Sequence, residues 1–174
     1  MNIFYLANNP AECAKYHNDR HCVKMILESA QLLSTAHRVL DGQQYAGTTA
    51  SGRRVTRWSH PNDQLLMQAT HVNHPSSSWV RQSTQHYAWL YSLFCELMAE
   101  YTHRYGKHHK CETIKSVLAS PPHNLCDHGF VAPPLAMPDD CKQFPSHVDC
   151  YREYYRKYKR SFSTWKHRPI PDWF

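Results

Sequence analysis

Six of the chain's eleven prolines fall within residues 120–147, at Pro121, Pro122, Pro133, Pro134, Pro138 and Pro145. Each fixes its own φ and removes a backbone N–H, so this stretch can be neither regular helix nor central strand. The expectation is an irregular strap lying across other elements. Both flanks carry helical spacing, and only Asn2–Leu6 offers a strand-like alternation of any length. The predicted fold class is therefore all-α: a compact helical bundle in a single domain over residues 1–174, crossed by a proline-rich strap.

Asn9-Pro10-Ala11-Glu12 reads as a helix start, with Asn9 as N-cap and Pro10 in the first helical position. The helix breaks near His17-Asn18-Asp19, where Asn18 or Asp19 can cap a second helix running to about Leu40 and stopping at Asp41-Gly42. Val23, Ile26, Leu27, Ala30, Leu33 and Leu40 supply its apolar face. Residues 42–59, containing GTTASGRR, have turn composition without periodicity and predict a mobile basic loop. A short helix is expected from His60-Pro61-Asn62-Asp63 through Thr70. One long helix is expected over Ser76–Tyr105, with a place to kink near Ser83, closed by Gly106. Further helices are read over about 112–119 and 148–165, with an extended tail.

Within the second helical region His17, His21, Lys24, Glu28, Gln31 and Thr35 recur at steps of three and four, so all six project into a wedge roughly 80° wide. The ordinary reading is a solvated face with pairs such as Lys24 and Glu28. The mixture of one carboxylate, one ammonium, one amide and two imidazoles is unlike a repetitive solubility face. A carboxylate among cations and neutral donors can act as a general base or stabilise a developing oxocarbenium ion, which makes Glu28 the catalytic candidate.

The +6 net charge and pI near 9.0 favour a polyanionic partner. Arg53, Arg54 and Arg57 with Trp58 form one candidate patch. The interleaved rings and cations of residues 151–174 form another, unless they are a helix packing its tyrosines inward while its cations reach out. Walker and Rossmann glycine loops and a GxSxG elbow are missing. Seven cysteines without framework spacing fit free thiols. His17 with His21, HHKC at 108–111 and HNLCDH at 123–128 are ligand-rich, but none forms a CxxC pair and no metal ligands or cofactor are assigned. No run is apolar enough for a membrane span, and MNIFYLANNPAEC lacks the basic region and cleavage site of a signal peptide, so the expected location is the cytoplasm, that of the host if the chain is phage-encoded.

HCVKMILESAQLL, then NHPSSSWVRQS, then EYTHRYGKHH, in that order over roughly residues 15–110, resembles the pyrimidine-dimer DNA glycosylases of the endonuclease V type and their phage and bacterial relatives. The resemblance implies a compact helical domain. It also implies attack on the sugar C1′ by the N-terminal α-amine, displacement of the base and strand cleavage through a Schiff base, with a helix glutamate assisting. Carried over by position, Glu28 is that glutamate and Met1 supplies the amine. His17, His21, Lys24, Gln31, His74, Trp79, Arg81 and Arg57 are the candidate substrate- and DNA-binding residues. Such an enzyme extrudes its target nucleotide from the stack.

The function expected is a DNA N-glycosylase-like enzyme acting on a damaged or modified base, with lyase activity through the N-terminal amine as a further step. Two alternatives stay open: an enzyme or binding protein for a small nucleotide, with the stripe lining a closed pocket, and a non-catalytic nucleic-acid-binding phage protein.

Overall fold

The computed structural model describes residues 1–174. Five helices, α1 (Pro10–Tyr16), α2 (Asp19–Asp41), α3 (Pro75–Val80), α4 (Thr84–Tyr105) and α5 (His147–Tyr158), surround one hydrophobic cluster, and a two-stranded hairpin, β1 (Gln43–Thr48) and β2 (Arg54–Ser59), stands beside them. The protein is mostly helical but not strictly all-α, because of that hairpin.

The side chain of Asn9 accepts from the amides of Ala11 and Glu12, which starts α1. Asn18 accepts from the His21 amide and starts α2. Between them His17 takes extended backbone, so it precedes α2 and the polar stripe of that helix begins at His21. Ile26, Ala30 and Leu33 are fully buried as their spacing predicts, whereas Val23 is 37% exposed and lies off the core face. Met25, Leu32 and Ala36 take up that packing. Helix α4 packs along both α1 and α2. Its C-terminal Arg104 is buried and donates to Glu100, Asp19 and the carbonyls of His17 and Lys15, tying the end of α4 to the junction of the first two helices.

Several expectations are corrected. Residues 42–59 are the hairpin, in the register Gln43 to Ser59 through Thr48 to Arg54. Most of its positions face solvent, so no alternation of apolar and polar residues marks it in the sequence. At its foot Gly42 meets the end of α2 so closely that a Cβ would overlap the carbonyl oxygens of Arg38 and Ser59. Residues 60–70 form turns rather than a helix. Buried Arg38 donates to the carbonyls of Asp63, Leu66 and Met67 and pairs with the Asp63 carboxylate, which draws those groups away from any helical ladder. The long helix over 76–105 is two helices, because Ser83 is extended and caps α4 rather than kinking a continuous rod. Lys110–Ile114 is a 3-10 turn, where a helix over 112–119 was expected. Helix α5 ends at Tyr158, and a 3-10 turn over Arg160–Phe162 follows it. Residues 120–147 hold no helix beyond the short turn Asp139–Cys141 and run as an irregular strap.

Candidate active site

The first residues of the chain lie against α2. The Asn2 amide donates to Glu28 Oε2 at 2.9 Å, and the Met1 α-amine stands 4.0 Å from the same oxygen. Lys24, one turn earlier, approaches Glu28 Oε1 at 3.2 Å with its side chain 65% exposed. One carboxylate thus faces three donors, two of them cationic, while its side chain is only 11% exposed. Low exposure strengthens each of these contacts relative to water.

Residue 2 is held by partners distant in sequence. Asn2 Nδ2 donates to the Ala136 carbonyl at 2.9 Å. The buried Tyr151 hydroxyl lies 2.9 Å from Asn2 Oδ1 and 2.6 Å from the Pro134 carbonyl. The proline strap and α5 together aim the first peptide at Glu28. Spacing within α2 could not reveal Asn2, Ala136 or Tyr151 as part of this arrangement, and no motif marks them.

Of the candidate residues, the structure gathers Met1, Lys24, Glu28 and His74. His74 caps α3 by accepting from the Ser76 amide. Burial lowers its imidazole pKa, an effect deepened by the nearby α-amine and His71 and opposed by Glu28. Gln31 is half-buried one turn beyond Glu28. Two turns beyond Glu28, the Thr35 hydroxyl meets residue 70 of the facing loop through the Thr70 amide at 3.2 Å. There residues 69–73 and the hairpin enclose an open concavity of about 480 Å³, walled by Arg53, Arg57, Trp58, Thr70, His71 and Asn73. Glu28 itself lines none of the molecule's larger concavities and is nearly buried.

The other candidates lie apart from this group. His17 is completely enclosed, with Nδ1 2.7 Å from the Cys13 carbonyl, Nε2 unpartnered and its pKa pushed down by burial to about 4. His21 is stacked on Phe4 at 4.2 Å and bonded to the Tyr155 hydroxyl at 2.6 Å. Burial, reinforced by His17, Lys159 and Lys24, lowers it to about 3. Both are core histidines. Trp79 is 3% exposed, donates to the Val131 carbonyl and stacks on His86. Arg81 spends its guanidinium on Ser77 and the Val72 carbonyl. The tail of rings and cations also turns inward: Tyr151 and Tyr155 are core residues, Arg152 covers Tyr16 and Trp173, and Arg156 pairs with Glu153.

This geometry defines a helical protein in which a primary amine and a nearly buried carboxylate stand side by side, with an arginine-walled concavity between the hairpin and residues 69–73. The family model for pyrimidine dimer DNA glycosylase matches residues 1–113, more than half of the 174, and the chain belongs to that family. Family membership makes it a base-excision DNA glycosylase. No curated protein matches the chain, and no solved structure does. The matched span contains Met1, Lys24, Glu28, His74 and the hairpin, whereas the strap and α5 that anchor Asn2 lie beyond it.

Proposed function

We propose that this protein excises pyrimidine dimers from DNA, with the Met1 α-amine as nucleophile, Glu28 as its acid–base partner and Lys24 as a phosphate contact. The carrying observation is the double approach of the first residue and the Asn2 amide to one glutamate oxygen. In this reading Glu28 accepts a proton from the ammonium. The freed lone pair forms the N–C1′ bond while the glycosidic bond breaks and its electron pair leaves with the base. Ring opening gives a Schiff base between the α-nitrogen and C1′. Loss of a C2′ proton then expels the 3′ phosphate, and water releases the enzyme. The proton taken up by Glu28 passes to the sugar ring oxygen as the ring opens, which returns the carboxylate.

A small nucleotide is normally held in an enclosed, mostly apolar pocket, and none is formed around Glu28. The concavity between the hairpin and residues 69–73, with Arg53 and Arg57 on its wall, suits the backbone or an extruded nucleotide of DNA. The test is cleavage of ultraviolet-irradiated duplex DNA by Glu28→Gln. Activity is expected to fall by at least about a hundredfold with the melting temperature nearly unchanged. Lys24→Ala is expected to weaken DNA binding and its salt dependence more than turnover. Wild-type turnover by Glu28→Gln removes the proposal.

A further inference from the structure

We propose that His37, Asp41 and His60 form a binding site for a zinc-like divalent transition-metal ion that clips the foot of the hairpin to the end of α2. The three residues each offer one ligand atom, and these atoms lie within 4.8 Å of one another. His37 and Asp41 are four residues apart in the last turns of α2 and so share a face. His60 follows β2 directly and is returned to that face by the hairpin. Sequence spacing hides the set because its third member is separated by the whole hairpin.

His37 and Asp41 are held for this role, and His60 needs a change of tautomer. The Tyr87 hydroxyl donates to the Leu118 carbonyl at 2.9 Å, so at 2.9 Å from His37 Nε2 it accepts that ring's proton. His37 therefore donates from Nε2 to Tyr87, the outer-sphere arrangement that metal-binding imidazoles normally have, and the Ser120 backbone also lies against the ring. Asp41 Oδ1 accepts from the backbone and side-chain amides of Asn124, both at 3.0 Å, and Oδ2 accepts from the His123 amide at 2.7 Å, which leaves Oδ2 a lone pair for a cation. His60 Nδ1 accepts from the Asn62 amide at 3.0 Å. Coordination through Nε2 puts a proton on Nδ1, and the Asn62 amide then turns to the water around this exposed segment.

Imidazole and carboxylate at zinc distances of about 2.0–2.2 Å stand roughly 3.4 Å apart in a tetrahedral site, so the ligands close in by about an ångström on binding. Exposed His123, whose amide is already on Asp41, or water completes the set. The carbonyl end of α2 favours a cation here, and Asp63 offsets the nearby charge of Arg38. Two imidazoles suit zinc far better than magnesium or calcium.

The experiment uses the full chain, stripped with chelator and titrated with zinc chloride against a chromogenic chelator. Metal content after desalting and the melting temperature are read alongside. About one zinc per chain and a melting temperature raised by several degrees are expected. His60→Gln and Asp41→Asn are expected to weaken binding at least about tenfold. His37→Gln alters a buried residue and can unfold the chain, so His60→Gln at the exposed hairpin foot carries the test. A paired His108→Gln, Cys111→Ser control should bind as wild type. Absence of stoichiometric zinc, undiminished binding by His60→Gln, or loss of zinc only in the control overturns the proposal. None of these readouts depends on glycosylase activity.

Discussion

The amide of Asn2 donates to the carboxylate of Glu28 at 2.9 Å across 26 positions of sequence, fastening the start of the chain to the middle of its longest helix. The fastening depends on Tyr151 and Ala136, which hold the Asn2 side chain from the far side. Tyr151→Phe keeps the ring in the core and removes the hydroxyl. Stability is expected to fall by about 1–2 kcal/mol. If amine placement sets the rate, kcat should fall about tenfold with KM little changed, because a misplaced nucleophile costs rate. A kcat equal to wild type would show that the strap does not position the first residue.

Acid should destabilise the protein well before its carboxylates titrate. Burial holds His17 at about 4 and His21 at about 3, while both return to about 6.5 on unfolding. Below about pH 6.5 the unfolded chain takes up protons that the folded chain refuses, so their contribution to stability is present above that pH and declines toward pH 4. The slope approaches about 1.4 kcal/mol per pH unit for each histidine. Urea unfolding at pH 7, 6 and 5 measures it, and His21→Gln should lower the slope by up to about 1.4 kcal/mol per pH unit, with His17, His37 and the other lowered histidines supplying the rest. A flat profile over that range contradicts the burial of the neutral rings.

Arg38 is buried, pairs with Asp63 and donates to the carbonyls of Met67, Trp58 and Leu66. Arg38→Met leaves the carbonyls of Met67, Trp58, Asp63 and Leu66 without their donor and is expected to cost about 3–5 kcal/mol. Hydrogen exchange should rise first in the hairpin and the 60–67 turns. An unchanged melting temperature would contradict this role.

Arg53 and Arg57 wall the concavity beside α2. Each alanine substitution is expected to weaken binding to a dimer-containing duplex and lower the slope of log affinity against log salt by about one. Fluorescence anisotropy at several salt concentrations checks this. An unaltered slope would place the DNA elsewhere.

Elements whose burial is periodic were legible in the sequence. The caps Asn9 and Asn18, the inward face of α2 and the proline strap follow from local rules. The hairpin was not, because its solvent-facing positions carry no alternation, and the turns after it obey Arg38 rather than their own composition. At the candidate site, Glu28 and Lys24 stand out by spacing within one helix, and Met1 by family resemblance. The hold on Asn2 from residues more than 130 positions away leaves no local trace. His17, His21 and Trp79 look surface-bound by type, yet the Cys13 carbonyl, the Tyr155 hydroxyl and the Val131 carbonyl let them pack inside.

The most direct measurement is reductive trapping. The protein is mixed with dimer-containing duplex in the presence of borohydride, digested, and the cross-linked peptide identified by mass spectrometry. The account predicts a single adduct on the α-nitrogen of Met1, abolished in Glu28→Gln. An adduct on a lysine, or cleavage of the strand with no trapped species, would contradict it.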